Sequence, residues 1–264
     1  MKQASNDSFA DHGIDHISAS QINTFIMNPC RWILKVSGYT DPTGNAHMWR
    51  GTAVDNAVSG MLMDGLSKEQ VMALGKNVFE TKVAYAKKVD PENINDIVLS
   101  GNQDKLERYL SAALDFFEGK GKPKSVQEKI DIKDESLSVP IIGYLDLKYE
   151  STNRDIKTSA QRPNYAKMPD SVSRQMSVYW KATGLMPVAD YIIVRMSDIL
   201  TETYPVYDIN EHWAVTLRAA QTMQRVLSIS TDIQEVASFF MPDFSTWDWD
   251  EREIEEAKKL WGIK

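Results

Sequence analysis

The chain has 264 residues, 42% of them hydrophobic and 25% charged, which suits one well-buried α/β domain with insertions or two small domains. Its net charge of −7 argues against a general polyanion binder, and the aliphatic run near residues 191–194 is far too short to cross a bilayer. A single cysteine, Cys30, excludes an internal disulfide and any four-cysteine metal or cluster site built by this chain alone, so a reducing cytoplasm is the simplest compartment.

In chain order, residues 1–17 lack the apolar centre of a secretory signal and predict a polar, mobile lead-in. Ser18 and Gln21 form a capping box for a helix that ends near Asn28, where Pro29 interrupts it. From Gly51 the apolar residues Val54, Ala57, Val58, Met61 and Leu62 follow the spacing of an amphipathic helix. Ser67 and Gln70 start another, and Leu106, Leu110, Leu114 and Phe117 mark a third that stops near Gly119. After residues 119–124 the pattern changes. Residues 126–132, 139–149 and 154–158 predict three strands, with a turn at 150–153. A helix from Asp170 or Ser171 to Gly184, strands at 191–196 and 203–207, a helix at 213–227 and an acidic helix at 250–261 complete the order. The expected organisation is one domain over 18–264: a helical part (18–119), a sheet core (125–209) and C-terminal helices (210–264).

The stretch from Gly143 to Ser159 carries the chemistry. It sets Asp146 and Asp155 on what reads as a β-hairpin, with Lys157 two residues beyond the second aspartate. Asp155 and Lys157 leave the same face of their strand, while Ile156 points into the core. Two carboxylates this close repel unless a cation joins them, and hard oxygen donors suit Mg²⁺ or Mn²⁺. The Ile156 carbonyl can add an oxygen. An ammonium beside such an ion can hold and activate water for attack on phosphorus, which is the chemistry of phosphodiester hydrolysis. A surface hairpin with two acids and a lysine is the alternative. Glu128, on the preceding strand, is a further ligand or a supporting group. Gln175 and Tyr179, four apart on a helix, share a face and either contact the substrate or serve packing. Between residues 154 and 174 five basic residues (Arg154, Lys157, Arg162, Lys167, Arg174) meet two acidic ones, whereas from residue 243 onward seven acidic residues meet four basic ones. The basic strip is either a track for a polyanion or a solvated face.

Gly143 to Asp146, then Asp155 to Lys157, then Gln175 to Tyr179 resemble the Gly-x-x-Asp, Asp-x-Lys and Gln-x-x-x-Tyr motifs of the RecB-like branch of the PD-(D/E)XK nuclease superfamily. Ser18 to Gln21, followed by Asn28-Pro29-Cys30-Arg31-Trp32, resembles that branch's opening helix and Cys-Pro turn, with Cys and Pro reversed. Arg50 to Asp55 matches its Gly-x-x-x-His motif with aspartate in place of histidine. The resemblance covers roughly residues 18–196.

It implies a restriction-endonuclease-like α/β core: a central mixed β-sheet flanked by helices, with a helical N-terminal region. It also implies Asp146, Asp155, Lys157, Gln175 and Tyr179 as catalytic residues. Asp55, Asp146, Asp155, the Ile156 carbonyl and Glu128 would hold Mg²⁺ or Mn²⁺; a lost helical ligand is the less favoured reading of Asp55 in place of histidine. Arg174, Arg162, Ser20 and Trp32 would meet nucleic acid, with Trp32 and Trp49 either stacking on bases or buried. With Cys30 alone no iron–sulfur cluster is possible, and no helicase P-loop is present. The resemblance therefore implies a cluster-free, stand-alone DNA exonuclease of the kind phages encode, in the cytoplasm of a bacterial cell or phage host. A phage annealing or recombination protein would be its partner, and no membrane contact is expected. A structure- or site-specific endonuclease, a non-catalytic nucleic-acid-binding module and an unrelated α/β protein are the alternatives.

Overall fold

The computed structural model describes residues 7–163 and 167–263. The N-terminal segment is not a mobile lead-in over its described part. Helix α1 (Ser8–Asp11) buries Phe9 completely, and β1 (Ile17–Ser18) pairs with a central strand through Ile17, which is itself buried. Two isolated apolar side chains in a polar stretch suffice to dock it.

Ser18 and Gln21 close the expected capping box of α2 (Ala19–Met27). Pro29 ends that helix by starting the next: it occupies the first turn of α3 (Pro29–Val36), where a missing N–H costs nothing, and Asn28 caps it. The Val54 stripe lies on α4 (Ala46–Asp64), which begins earlier than its periodicity shows because Asn45 caps it. The reciprocal Ser67–Gln70 box opens α5 (Lys68–Val89), and the leucine stripe belongs to α6 (Asp96–Phe117). Then follow β2 (Ser125–Ile132), β3 (Ile141–Lys148), β4 (Asn153–Ser159), α7 (Asp170–Thr183), β5 (Val188–Val194), β6 (Ile199–Pro205), α8 (Ile209–Leu227), α9 (Ile233–Ala237) and α10 (Glu251–Trp261).

The strands form one mixed sheet in the order β1-β3-β4-β5-β6, with β2 also on β3. Pairs β1–β3 and β4–β5 are parallel; β2–β3, β3–β4 and β5–β6 are antiparallel. Alternation along β5 divides the core: Ala189, Tyr191 and Ile193 pack in the cluster shared with α2, α7 and α8, and Ile192 and Val194 in the cluster shared with α4, α5 and α6. The sheet is thus covered on both faces by helices. No described helix is long and apolar enough to cross a membrane.

Candidate active site

Strand β2 occupies one edge of β3 along its length, so β1 and β4 share the other edge, β1 at Ile141 and Ile142 and β4 at Leu147 and Lys148. The β3–β4 register, continued one step, would set Asp155 opposite Asp146, but the ladder stops short of that rung. In the resulting gap Asp146 Oδ2 accepts a hydrogen bond from the Ile156 N–H at 2.8 Å, taking the place of a ladder carbonyl.

A residue absent from the sequence-based expectations shapes this gap. Gln127 lies opposite Asp146 in the β2–β3 register, and its backbone is left-handed at φ +48°, unusual for a non-glycine residue. Both strands change face at that rung. Ile130 and Leu145 pack on the α7 side, whereas Val126 and Leu147 pack on the α4 side. The Gln127 amide donates to Asp146 Oδ1 at 3.1 Å, so both oxygens of Asp146 are held. A Gln-Glu-Lys sequence gives no sign of a positive φ.

Asp155 and Lys157 leave the opposite face of β4 from Ile156, as alternation requires, and meet α7. Asp155 is 1% exposed. Its Oδ2 lacks an aligned hydrogen-bond donor but stands 2.6 Å from Lys157 Nζ. Lys157 Nζ donates to Gln175 Oε1 at 3.0 Å, and Gln175 Nε2 donates to Tyr179 Oη at 2.6 Å and to Asp155 Oδ1 at 3.3 Å. Tyr179 Oη donates to the same Asp155 oxygen at 3.5 Å. Tyr179 is buried in the core as well, so packing and site roles coincide. Gly143 makes room for it: a Cβ there would stand 3.2 Å from the tyrosine ring and 3.3 Å from Ile130.

Asp55 approaches from α4. Burial, then Asp146 and Asp155, push its carboxyl well above the ordinary value, so it lies within their electrostatic reach. Its Oδ1 is buried without a hydrogen-bond partner. Burial, reinforced by Asp155, raises Asp146 to about 7. Burial also raises Asp155, against the pull of Lys157. Burial alone would lower the Lys157 ammonium, but Asp155 and Asp146 outweigh it and hold it above its usual range, so it is charged at neutral pH. Three carboxylates therefore converge on a single cation.

Oxygen-only donors and an unpartnered buried carboxylate oxygen suit a hard divalent ion. Among the described residues no three acidic, His or Cys side chains stand ready at coordination spacing. The reason is local: Gln127, Ile156 N–H, Gln175, Tyr179 and Lys157 engage the oxygens of Asp146 and Asp155, leaving Asp55 Oδ1 free.

The remaining expected site residues stand elsewhere or are engaged. Glu128 gives its oxygens to Lys148 Nζ, at 2.6 Å, and to the Ser125 hydroxyl, so its partners lie outside the aspartate group. Trp32 is 2% exposed and packs edge-on against Phe25, and Trp49 is buried with its indole N–H on the Thr43 carbonyl, so neither offers a face to a base. Arg174 Nε donates to Asn23 Oδ1 at 2.7 Å and ties α7 to α2. Arg162, exposed, pairs with Glu202. Ser20 is exposed and shares a hydroxyl contact with Ser18. In the basic strip, Arg154 and Lys157 pair with buried carboxylates, whereas Arg162 and Lys167 meet carboxylates at the exposed surface.

No protein of curated function matches this sequence. Among solved structures, a candidate exonuclease from Eubacterium rectale aligns over 97% of this chain and 92% of its own, at 15% identity and a TM-score of 0.57, and so shares the fold. A second, SSO0001, aligns over 75% of this chain and 86% of its own at 12% identity, with a TM-score of only 0.31. The family model of the PD-(D/E)XK nuclease superfamily matches residues 16–238, which span the β3–β4 gap, α4 and α7. By that match over most of its length, the chain belongs to the PD-(D/E)XK nuclease superfamily.

Proposed function

We propose that this nuclease is a DNA exonuclease dependent on Mg²⁺ or Mn²⁺, of RecB-like type, acting in the recombination, repair or processing of phage DNA. One observation carries the reading: three aspartates, the buried Asp155 and the half-buried Asp55 and Asp146, face a single lysine, with the buried Oδ1 of Asp55 unpartnered. A divalent ion held by these aspartates, with the Ile156 carbonyl as a further oxygen, would supply charge stabilisation to the phosphorus centre. Glu128, neutralised by Lys148, stays outside this ligand set.

The chain's own groups do the rest. Lys157, a charged ammonium anchored by Asp155 and Gln175, orients the attacking water and steadies developing negative charge rather than removing a proton. Burial, with Asp155 and Asp146, keeps the Tyr179 phenol far above its ordinary pKa, so it remains a donor that fixes Asp155. Gln175 links Lys157, Tyr179 and Asp155 into one unit. Ser20 and Arg162, both exposed, are the proposed strand contacts, with Arg174 a positioning residue for α7.

The test is end-labelled linear DNA, single- and double-stranded, beside a covalently closed circle, each incubated with Mn²⁺. Progressive loss of linear DNA, an untouched circle and full suppression by EDTA are expected. Nicking of the circle assigns an endonuclease, and no cleavage with either metal but retained DNA binding assigns a non-catalytic module.

A further inference from the structure

Beside Asp146 the sheet turns an aromatic side chain to solvent. Gly143 and Leu145 face α7: a Cβ at Gly143 would meet the Tyr179 ring, and Leu145 packs in the cluster shared with that helix. Tyr144, between them, leaves the opposite face, the one from which α4 brings Asp55 toward Asp146. The α4 cluster reaches Val126 and Leu147 on that face but leaves Tyr144 50% exposed. Tyrosine favours strands through packing against its neighbours, yet this ring belongs to none of the hydrophobic clusters. It stands two residues before Asp146, about 6.7 Å along the strand.

Its neighbour across the strands is a free cation. Lys129 is the register partner of Tyr144 on β2 and so shares its face. Lys129 is exposed, with no carboxylate at ion-pair distance among the described residues, and the Tyr144 hydroxyl has no hydrogen-bond partner among them. Asp131, the other charged residue on this face of β2, stands opposite Ile142, on the side away from Asp146. The position is specific as well. Tyr85, Tyr207, Phe239 and Trp247 are equally exposed aromatics, but they lie on or between elements that supply none of the site's residues.

We propose that Tyr144 is a stacking platform for an unpaired base of the substrate, with Lys129 on a phosphate of the same strand, so that the site takes single-stranded DNA or an unpaired strand end. Inside a duplex each base is covered by its neighbours, and only an unpaired one can turn a face onto a side chain. Stacking tolerates any sequence, because every base has a π-face. The separation from Asp146 is about one or two nucleotides of strand, so the stacked base flanks the phosphodiester at the aspartates. That placement rests on the nuclease reading; stacking itself does not.

Two measurements on the intact protein keep these apart. Thymidine oligonucleotides carrying one 2-aminopurine at successive positions are mixed with the protein in Ca²⁺, and the fluorescence amplitude on mixing reads stacking alone. Initial rates in Mn²⁺ on a single strand and on a blunt duplex of the same sequence read specificity. Quenching should peak at one position, persist in Tyr144→Phe and disappear in Tyr144→Leu, whose affinity for the strand should fall about tenfold. Lys129→Ala should lower the slope of log affinity against log salt by about 0.7, and Tyr144→Leu should leave that slope unchanged. The single strand should be degraded about tenfold faster than the duplex, or more, with the ratio falling toward unity in Tyr144→Leu but not in Tyr144→Phe. Both positions are exposed, so the variants should fold as the wild type does.

No quenching at any position, or quenching unchanged in Tyr144→Leu, overturns the platform. A blunt duplex degraded as fast as the single strand overturns the specificity assigned to it; in either case cleavage leaves the nuclease reading standing. An unchanged salt slope in Lys129→Ala overturns the phosphate contact. Quenching that depends on Tyr144, in a protein that cuts no DNA, keeps the platform and sinks the nuclease reading.

Discussion

Two groups of buried carboxylate stand on neighbouring strands of this sheet. Asp190, on β5, is fully buried and sits in register with Ile156. Arg154 Nη1 meets its two oxygens at 2.8 and 2.7 Å, and the Thr203 hydroxyl adds a bond of 2.6 Å. One negative charge meets one positive, and the oxygens are satisfied. One residue away, on the other face of β4, Asp155 shares its surroundings with Asp146 and Asp55 around Lys157. There, three formal negative charges meet one positive, leaving the charge of one divalent ion uncompensated. The first group is a closed structural pair; the second is an open site. What separates them is charge balance, since Asp190 and Asp155 are alike buried and alike hydrogen-bonded.

Substitutions should divide along that line. The largest effect falls on the open group: Asp155→Ala and Lys157→Ala should each lower Mn²⁺-dependent cleavage, measured per folded molecule, by about 10³-fold or more. Undiminished rates in both would remove them from the chemistry. In the closed group, Asp190→Asn leaves Arg154 half-buried beside a neutral amide and should cost about 3–5 kcal/mol of stability, read from urea unfolding. The folded fraction of that variant should titrate with Mn²⁺ as the wild type does. A changed Mn²⁺ titration would merge the two groups into one site.

How much of this was legible depends on how local the cause is. Capping boxes at Ser18 and Ser67 and the alternation of Asp155, Ile156 and Lys157 are written within a few residues, and the structure follows them. The site's helix face, Gln175 with Tyr179, was legible for the same reason. Pairs that depend on strand adjacency were not: Arg154 finds Asp190 only because β4 and β5 run side by side, 36 residues apart in sequence. Trp32 looks available beside a proline turn and is buried because α2 brings Phe25 against it. Gln127 is the clearest case. Its positive φ answers to the twist at one rung of the sheet, which no residue type announces.

A fourth substitution should move stability the opposite way from Asp190→Asn. Asp55 carries a carboxyl raised by burial and by its two neighbouring aspartates, so the folded protein holds its proton more tightly than the unfolded chain does. Its favourable contribution is complete below the unfolded value, about 3.9, and is lost as pH rises through the folded one. In EDTA, Asp55→Asn should therefore be more stable than wild type at pH 8, by on the order of 1–3 kcal/mol, with the advantage vanishing near pH 4. Saturating Mn²⁺ should stabilise the wild type more than the variant. Equal stability at both pH values would mark Asp55 as an ordinary helix residue.

The smallest effect tests how the open group is held. An alanine at Gly143 would press its Cβ to 3.2 Å from the Tyr179 ring, so the ring must shift by a few tenths of an ångström. Tyr179 Oη already reaches Asp155 only at 3.5 Å, and that contact should be the first to go. Alanine in a strand is otherwise favoured over glycine by about 0.5–1 kcal/mol, so stability should change little while activity falls about three- to tenfold. A double-mutant cycle separates misplacement of the ring from any other cause. If Gly143→Ala acts by displacing the tyrosine hydroxyl, it should cost nothing further in a Tyr179→Phe background. Additive losses would mean that the glycine serves the β3 backbone itself, and that Tyr179 belongs to the packing of α7 rather than to the holding of Asp155.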